Sequence, residues 1–325
     1  MKILLIKTSS FGDIIHALPV AAELRRQLPG ARLTWVANAE FEPILRLCPA
    51  VDQVLGFTRS RLLDHLYWSE FVFRDLQTDQ YDLVIDLQCL LKSGLLTLCA
   101  RGRRKVGLQD GREGSRFFYH DIVRWSEPRL HAVDRYLKVV PFLGLKPGPV
   151  TFPLNLPTGE YRFSAPLQGR TYVVINAFSR GAWKRWRLSG FQQVTDALPE
   201  IRFVLIGQKR DEIESHLLDA PNVINLTGKT TLVDLARILG GASMLLTNDS
   251  GPMHLAVALG RPVLALFGKS DPVMTGPYGY SDRSVMRFSA FEAHETFSLL
   301  KHGPQTPFSL QVIERMGEIL SAKVA

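Results

Sequence analysis

Cysteine is scarce in this 325-residue chain, and the three present, Cys48, Cys89 and Cys99, stand at spacings that match no metal-ligand set. Nothing in their number suggests an oxidising compartment, and the apolar surroundings of Cys89 and Cys99 lead us to expect buried thiols. Long hydrophobic runs are missing too. The longest, Leu90 to Ala100, is interrupted by Lys92 and falls short of a membrane span, and the opening MKILLIKTSS is too short for a secretory signal core. A soluble, cytoplasmic protein is the expectation. The first strand-to-helix turn lacks G-x-G-x-x-G, which argues against a nicotinamide dehydrogenase or epimerase, and lacks G-K-[ST], which argues against a P-loop ATPase. No D-x-D pair stands at a strand end to hold a metal against a diphosphate, so neither a metal nor a cofactor is expected. Internal repeats and low-complexity segments are absent as well.

What is present is the composition of a folded, soluble chain: 46% hydrophobic and 22% charged residues, with enough length for two domains. The formal charge is +8, much of it from Arg101 to Lys146, where 11 Lys and Arg face 5 Asp and Glu. Such a surplus suits an anionic partner: nucleic acid, acidic lipid headgroups or a phosphorylated sugar. A solvated face is the plainer explanation of the same excess.

Strands and helices alternate along the chain. Lys2–Ile6, Arg32–Ala37, Leu83–Asp86 and Lys105–Leu108 read as buried strands, with helices over 14–26, 41–47, 61–76, 91–100 and 132–143. Five prolines between Gly144 and Gly169 interrupt the pattern, which restarts at the strand Tyr172–Asn176. The expectation is an α/β protein of two doubly wound, Rossmann-like domains facing across a cleft. The first covers 1–150, a linker 151–170 and the second 171–306. A C-terminal helix occupies 307–325, and its packing back onto the first domain is one option.

Four loops carry candidate chemistry. In Leu245 to Pro272, Asp249, Ser250 and Gly251 fall between a buried strand and a helix, where free N–H groups and the helix dipole favour a phosphate. Pro252 suits the first helical turn, and His254 lies close enough to touch a ligand there. In Lys7 to Asp13, Gly12 permits close approach, and Asp13 sits at a helix start that favours its ionised form, ready to accept a proton. A simple helix cap is the plainer role for an isolated Asp there. His16 lies one turn on, as a possible further contact or as packing. Phe178 to Trp186 gathers three cations and two indoles. Lys184 would bring charge to a diphosphate and Ser179 a hydrogen bond, although Trp186 would equally anchor a basic surface loop. In Gly207 to Glu212, either Asp211 or Glu212 is placed to hold a ribose diol, with helix capping as the alternative.

The segments KTSSFGDIIHALP, DLQCLLKSG, HAVDRYL and NDSGPMHLAVALGRPVLALFGKSDP resemble the ADP-heptose:lipopolysaccharide heptosyltransferases, most nearly the heptosyltransferase I branch. The resemblance runs from the first residue to about the last, with the first and last segments the specific ones. It implies a GT-B fold, inverting glycosyl transfer, an ADP-heptose donor and the Kdo region of lipid A as acceptor. It further implies Asp13 as catalytic base and Lys184 as the diphosphate-binding, catalytic lysine. Ser179, Glu212, Asp249, Ser250, Gly251 and His254 would bind donor, and Ser10, Gly12, Arg59, Arg61 and Lys92 acceptor. No nucleic-acid partner is expected; a monomer in peripheral contact with the inner membrane is, since the implied acceptor is a lipid and the chain is basic. The chain departs from the family at Phe178-Ser179, where a Thr-Thr pair is usual, and at Gly268-Lys269-Ser270-Asp271-Pro272 in place of Gly-Pro-Thr-Asp-Pro. Those departures leave open another glycosyltransferase of the same superfamily. A non-enzymatic nucleic-acid binder using the Arg101 to Lys146 patch would show steep salt dependence and leave Asp13 without a role.

Overall fold

The apolar run KILLI forms strand β1 (Lys2–Ile6), buried along almost its whole length as both faces of a parallel sheet demand. This is seen in a computed structural model that describes residues 1–58, 65–167, 169–279, 284–289 and 306–322. Contacts divide the chain into two units, Met1–Asn155 and Leu156–Ala325. In the first, β1 pairs in parallel with β2 (Arg32–Asn38) and β4 (Tyr81–Asp86), and the sheet is completed by β3 (Gln53–Phe57), β5 (Gly102–Leu108) and β6 (Asp121–Val123). The order is β3-β2-β1-β4-β5-β6. The second unit repeats it with β7 (Tyr172–Asn176), β8 (Arg202–Leu205), β9 (Val223–Asn225), β10 (Met244–Asn248), β11 (Val263–Phe267) and β12 (Val285–Arg287), arranged β12-β11-β10-β7-β8-β9. Counted within each unit, both sheets run 3-2-1-4-5-6, and chain order reverses between the first and fourth strands. Loops leaving the carboxyl ends of those strands open a crevice, and ligands of this architecture bind there.

Several sequence expectations shift in detail. The helix expected over 132–143 is two short ones, Ala132–Leu137 and Val139–Phe142, separated at Lys138. Strands β3, β6 and β12 were not anticipated: β6 and β12 have three residues each, and β3 buries only Leu55 and Phe57 of its five. Cys89 is buried as expected, whereas Cys99, the last residue of the Leu91–Cys99 helix, packs against the core but is only partly covered. The C-terminal helix Pro307–Ser321 buries Val312 and Met316 in the second unit's core, and Phe308 meets the ring of buried Trp186 edge-on at 5.4 Å.

One buried carboxylate fastens the first unit's longest helix, Phe11–Gln27, to the segment at 146–148. Glu23 accepts from Arg26 at 2.7 and 3.1 Å, from Gln27 at 3.2 Å and from the Gly148 amide at 3.1 Å. The Arg26 hydrogen bonds hold its carboxyl below the ordinary glutamate range, against the opposing effect of burial. A depressed folded-state pKa adds stability above the unfolded value, and that stability is lost as pH falls through the folded one. Glu23→Ala is therefore expected to cost about 2 kcal/mol at neutral pH. Urea unfolding of both proteins should show the gap closing in acid; a gap unchanged by acid would make the loss one of packing.

Candidate functional site

The first unit places its chemistry where β1 ends. Lys7 follows the strand and is buried, its ammonium bonding the Leu87 carbonyl at 3.3 Å and lying 4.9 Å from the centre of the Tyr136 ring. Six residues on, Asp13 occupies the first turn of the Phe11–Gln27 helix. Its Oδ2 accepts from the Ser10 amide at 3.0 Å and the Ser10 hydroxyl at 2.8 Å, and its Oδ1 accepts from the Tyr136 hydroxyl at 3.2 Å. Burial works against a charged Lys7, but its neighbours, Tyr136 and Asp13 foremost with Asp86 behind them, lift its pKa above the usual lysine value. Desolvation raises that of Tyr136, so the phenol stays protonated and donates. Gly12 is buried in the same first turn, and buried His16 packs edge-on against His131 at 5.1 Å.

Beside this loop a cavity of about 240 Å³ is lined by Thr8, Ser9, Asn38, Gln88, Lys92 and Glu113 among others. The Ser9 amide and Thr8 hydroxyl both reach the Gln88 side-chain oxygen, at 3.1 and 3.3 Å. Asp86, fully buried at the end of β4, shapes the loop that carries Gln88: its carboxylate accepts from the Gln88 and Cys89 amides at 2.8 and 2.9 Å and from the Tyr119 hydroxyl at 2.8 Å. Burial drives its pKa up. Lys92 stands in the first turn of the Leu91–Cys99 helix, and the Glu113 carboxylate accepts the Leu91 amide at 3.1 Å.

In the second unit, the loops after β7 and β10 interlock. The Asn176 amide group donates to the Ser250 hydroxyl at 2.6 Å and the Thr247 hydroxyl at 3.3 Å, and the Ser179 hydroxyl donates to the Asp249 carbonyl at 2.6 Å. The Asp249 carboxylate is buried and receives Lys184 at 2.5 Å and the Ser270 hydroxyl at 2.6 Å. Asn248 clamps the same two loops, donating to the Ala177 carbonyl at 2.7 Å and accepting from the Trp186 amide at 3.0 Å. A Cβ at Gly268 would lie 2.3 Å from the Trp183 carbonyl, so only glycine lets the loop after β11 approach so closely. Ser250 precedes the helix Gly251–Ala258, whose first turn contains Pro252 and whose His254 is buried. One strand over, Asp211 caps its own turn by accepting the Gln208 amide at 2.9 Å. Glu212 is partly exposed, and its hydrogen bond from Lys209 lowers its pKa.

The fold thus brings together Ser10, Gly12 and Asp13 in one unit, and Ser179, Lys184, Asp249, Ser250 and Gly251 in the other. Lys92 joins Ser9 on the cavity, and Glu212 stands apart in the loop after β8. Arg59 and Arg61 lie outside the described residues. Sequence reasoning missed Lys7, Tyr136 and Ser270 as partners of the key carboxylates. A lysine closing a buried strand was the one visible hint, since Tyr136 reaches Asp13 across 123 residues.

Comparison with known proteins places this geometry. Residues 71–301 match the model of glycosyltransferase family 9 (heptosyltransferase). Lipopolysaccharide heptosyltransferase 1 of Pseudomonas aeruginosa is 31% identical over 86% of this chain and 82% of its own. The Escherichia coli K12 protein of that name is 29% identical, over 86% and 91%. A solved structure, E. coli heptosyltransferase WaaC with ADP, superposes with a TM-score of 0.77 at 27% identity, over 98% of this chain and all of the other. Likeness of that extent gives the fold class as GT-B. The chain belongs to glycosyltransferase family 9, the heptosyltransferases.

Proposed function

We propose that this protein transfers a heptose from an ADP-activated donor to the Kdo region of lipid A, with inversion at the anomeric carbon and Asp13 as general base. Similarity to lipopolysaccharide heptosyltransferases over most of the chain supports the reaction. The single observation that carries the mechanism is the Asp13 carboxylate, held by Ser10 and Tyr136 at the first unit's topological switch point.

Donor ADP-heptose binds the second unit, its diphosphate at the helix that Ser250 and Gly251 begin and beside Lys184, with Ser179, Asp249 and His254 forming the surrounding wall and Glu212 on the ribose. The acceptor binds the first unit near Ser10, Gly12 and Lys92, with Arg59 and Arg61 meeting its phosphates and carboxylates. Asp13 takes the proton of the attacking hydroxyl as the new C–O bond forms at the anomeric carbon and the bond to the ADP oxygen breaks. Lys184 and the helix dipole stabilise the charge gathering on ADP, a fixed-cation arrangement that needs neither metal nor cofactor. The protein acts as a monomer in the cytoplasm, in peripheral contact with the membrane that holds its lipid acceptor. Proton NMR of product against donor should show the opposite anomeric configuration; retention would contradict a one-step displacement assisted by a base.

A further inference from the structure

The helix Leu91–Cys99 buries Ser93, Gly94, Leu96 and Thr97 and turns Leu91, Leu95 and Leu98 outward, at 42%, 37% and 53% exposure. At about 100° per residue these leucines fall within about 60° of arc, a single stripe. The turn Ser115–Phe118 packs on the same helix: a Cβ at Gly94 would lie 2.4 Å from the Phe118 ring, and the adjoining Phe117 is 91% exposed. Three leucines in one stripe, with a phenylalanine on the adjoining turn, form a patch of the kind that marks an interaction surface.

Cations surround it. Lys92 borders the stripe, Arg101 follows the helix, and Arg112 and Arg116 flank the Phe117 turn. All four are exposed, and among the described residues none of them is ion-paired. The acid nearest in the chain, Glu113, is engaged with the Leu91 amide, and Lys105 closes the far end of the helix on the Leu98 carbonyl at 2.9 Å. We infer that this face docks on an anionic lipid bilayer. Its leucines and Phe117 enter the headgroup–acyl boundary while Arg101, Arg112 and Arg116 meet lipid phosphates. A second copy of the same face is disfavoured, because a two-fold contact would set cation against cation. The first turn of this helix also lines the cavity against Thr8 and Ser9, so, resting on the proposed lipid-borne acceptor, docking would bring that cavity to the headgroup layer.

The test is sedimentation of the full-length protein with vesicles of phosphatidylglycerol and phosphatidylethanolamine, against phosphatidylcholine alone. Wild type should bind the anionic vesicles and be released by salt. The variants Leu95→Glu/Leu98→Glu and Phe117→Ser, each in exposed positions, should weaken that binding about tenfold or more with an unchanged melting curve. Absence of binding by wild type, or equal binding by the folded variants, overturns the inference. So does a dimer in solution that the substitutions dissociate without any vesicle binding, which would assign the face to a second copy. Neither donor nor acceptor enters this assay, so it fails or succeeds independently of the proposed reaction, which is scored with detergent-dispersed acceptor.

Discussion

Asp13→Asn is expected to lower turnover by about 10²–10⁴-fold, the usual worth of a positioned general base, while ADP affinity stays as in wild type. Asparagine matches aspartate in shape and keeps an oxygen to accept from Ser10, so the helix start retains its cap. What it cannot do is take a proton. The substitution therefore separates the catalytic role from the capping role, the plainer reading of an acid in this position. Two neighbours sharpen the comparison. Tyr136 donates to Oδ1 at 3.2 Å and so positions the carboxylate without receiving the proton; Tyr136→Phe should cost less than about tenfold. Lys7 loses an anionic neighbour in the Asn variant, so a modest fall in melting temperature is expected. Steady-state ADP release with calorimetric ADP binding reads all of this. Activity of Asp13→Asn within a few-fold of wild type would remove Asp13 from the mechanism.

If Lys184 meets the diphosphate as proposed, Lys184→Ala should have the next largest effect, about 10²–10³-fold in turnover, because a fixed donor to the leaving group acts mainly in the transition state. The geometry adds a complication that the experiment can exploit. Asp249 is buried and holds Lys184 at 2.5 Å, so removing the lysine leaves a carboxylate with Ser270 as its remaining side-chain partner and destabilises the second unit as well. Asp249→Asn in the same chain removes the stranded charge. The double variant should recover most of the melting temperature and none of the rate. If the rate recovers with the stability, Lys184 acts only as a structural counter-ion to Asp249.

How much of this was legible in the residues depends on the distance over which each signal acts. β1, β7, β10 and β11 were visible because a strand covered on both faces must be mainly apolar, and each holds a run of at least three apolar residues. β3, β6 and β12 were not, since a partly exposed strand has no such constraint, and β6 and β12 are only three residues long. The site followed the same division. Asp13, Ser250 and Gly251 could be found because a loop between strand and helix has a local signature and a known place in a doubly wound sheet. The partners that give them their chemistry could not. Tyr136 and Lys184 reach their carboxylates across 123 and 65 residues. Lys184 and Asp249 were each assigned to the donor separately, with no sign that they bind one another. Capping by Asp211 likewise depends on a turn geometry that leaves Glu212 as the more accessible of two adjacent acids.

Acceptor-dependent ADP release decides the proposed reaction: wild-type protein with ADP-heptose, assayed with and without Kdo-bearing lipid A. ADP should appear only when both are present, in step with a heptosylated lipid product. ADP binding without turnover, or ADP release indifferent to the acceptor, would contradict it.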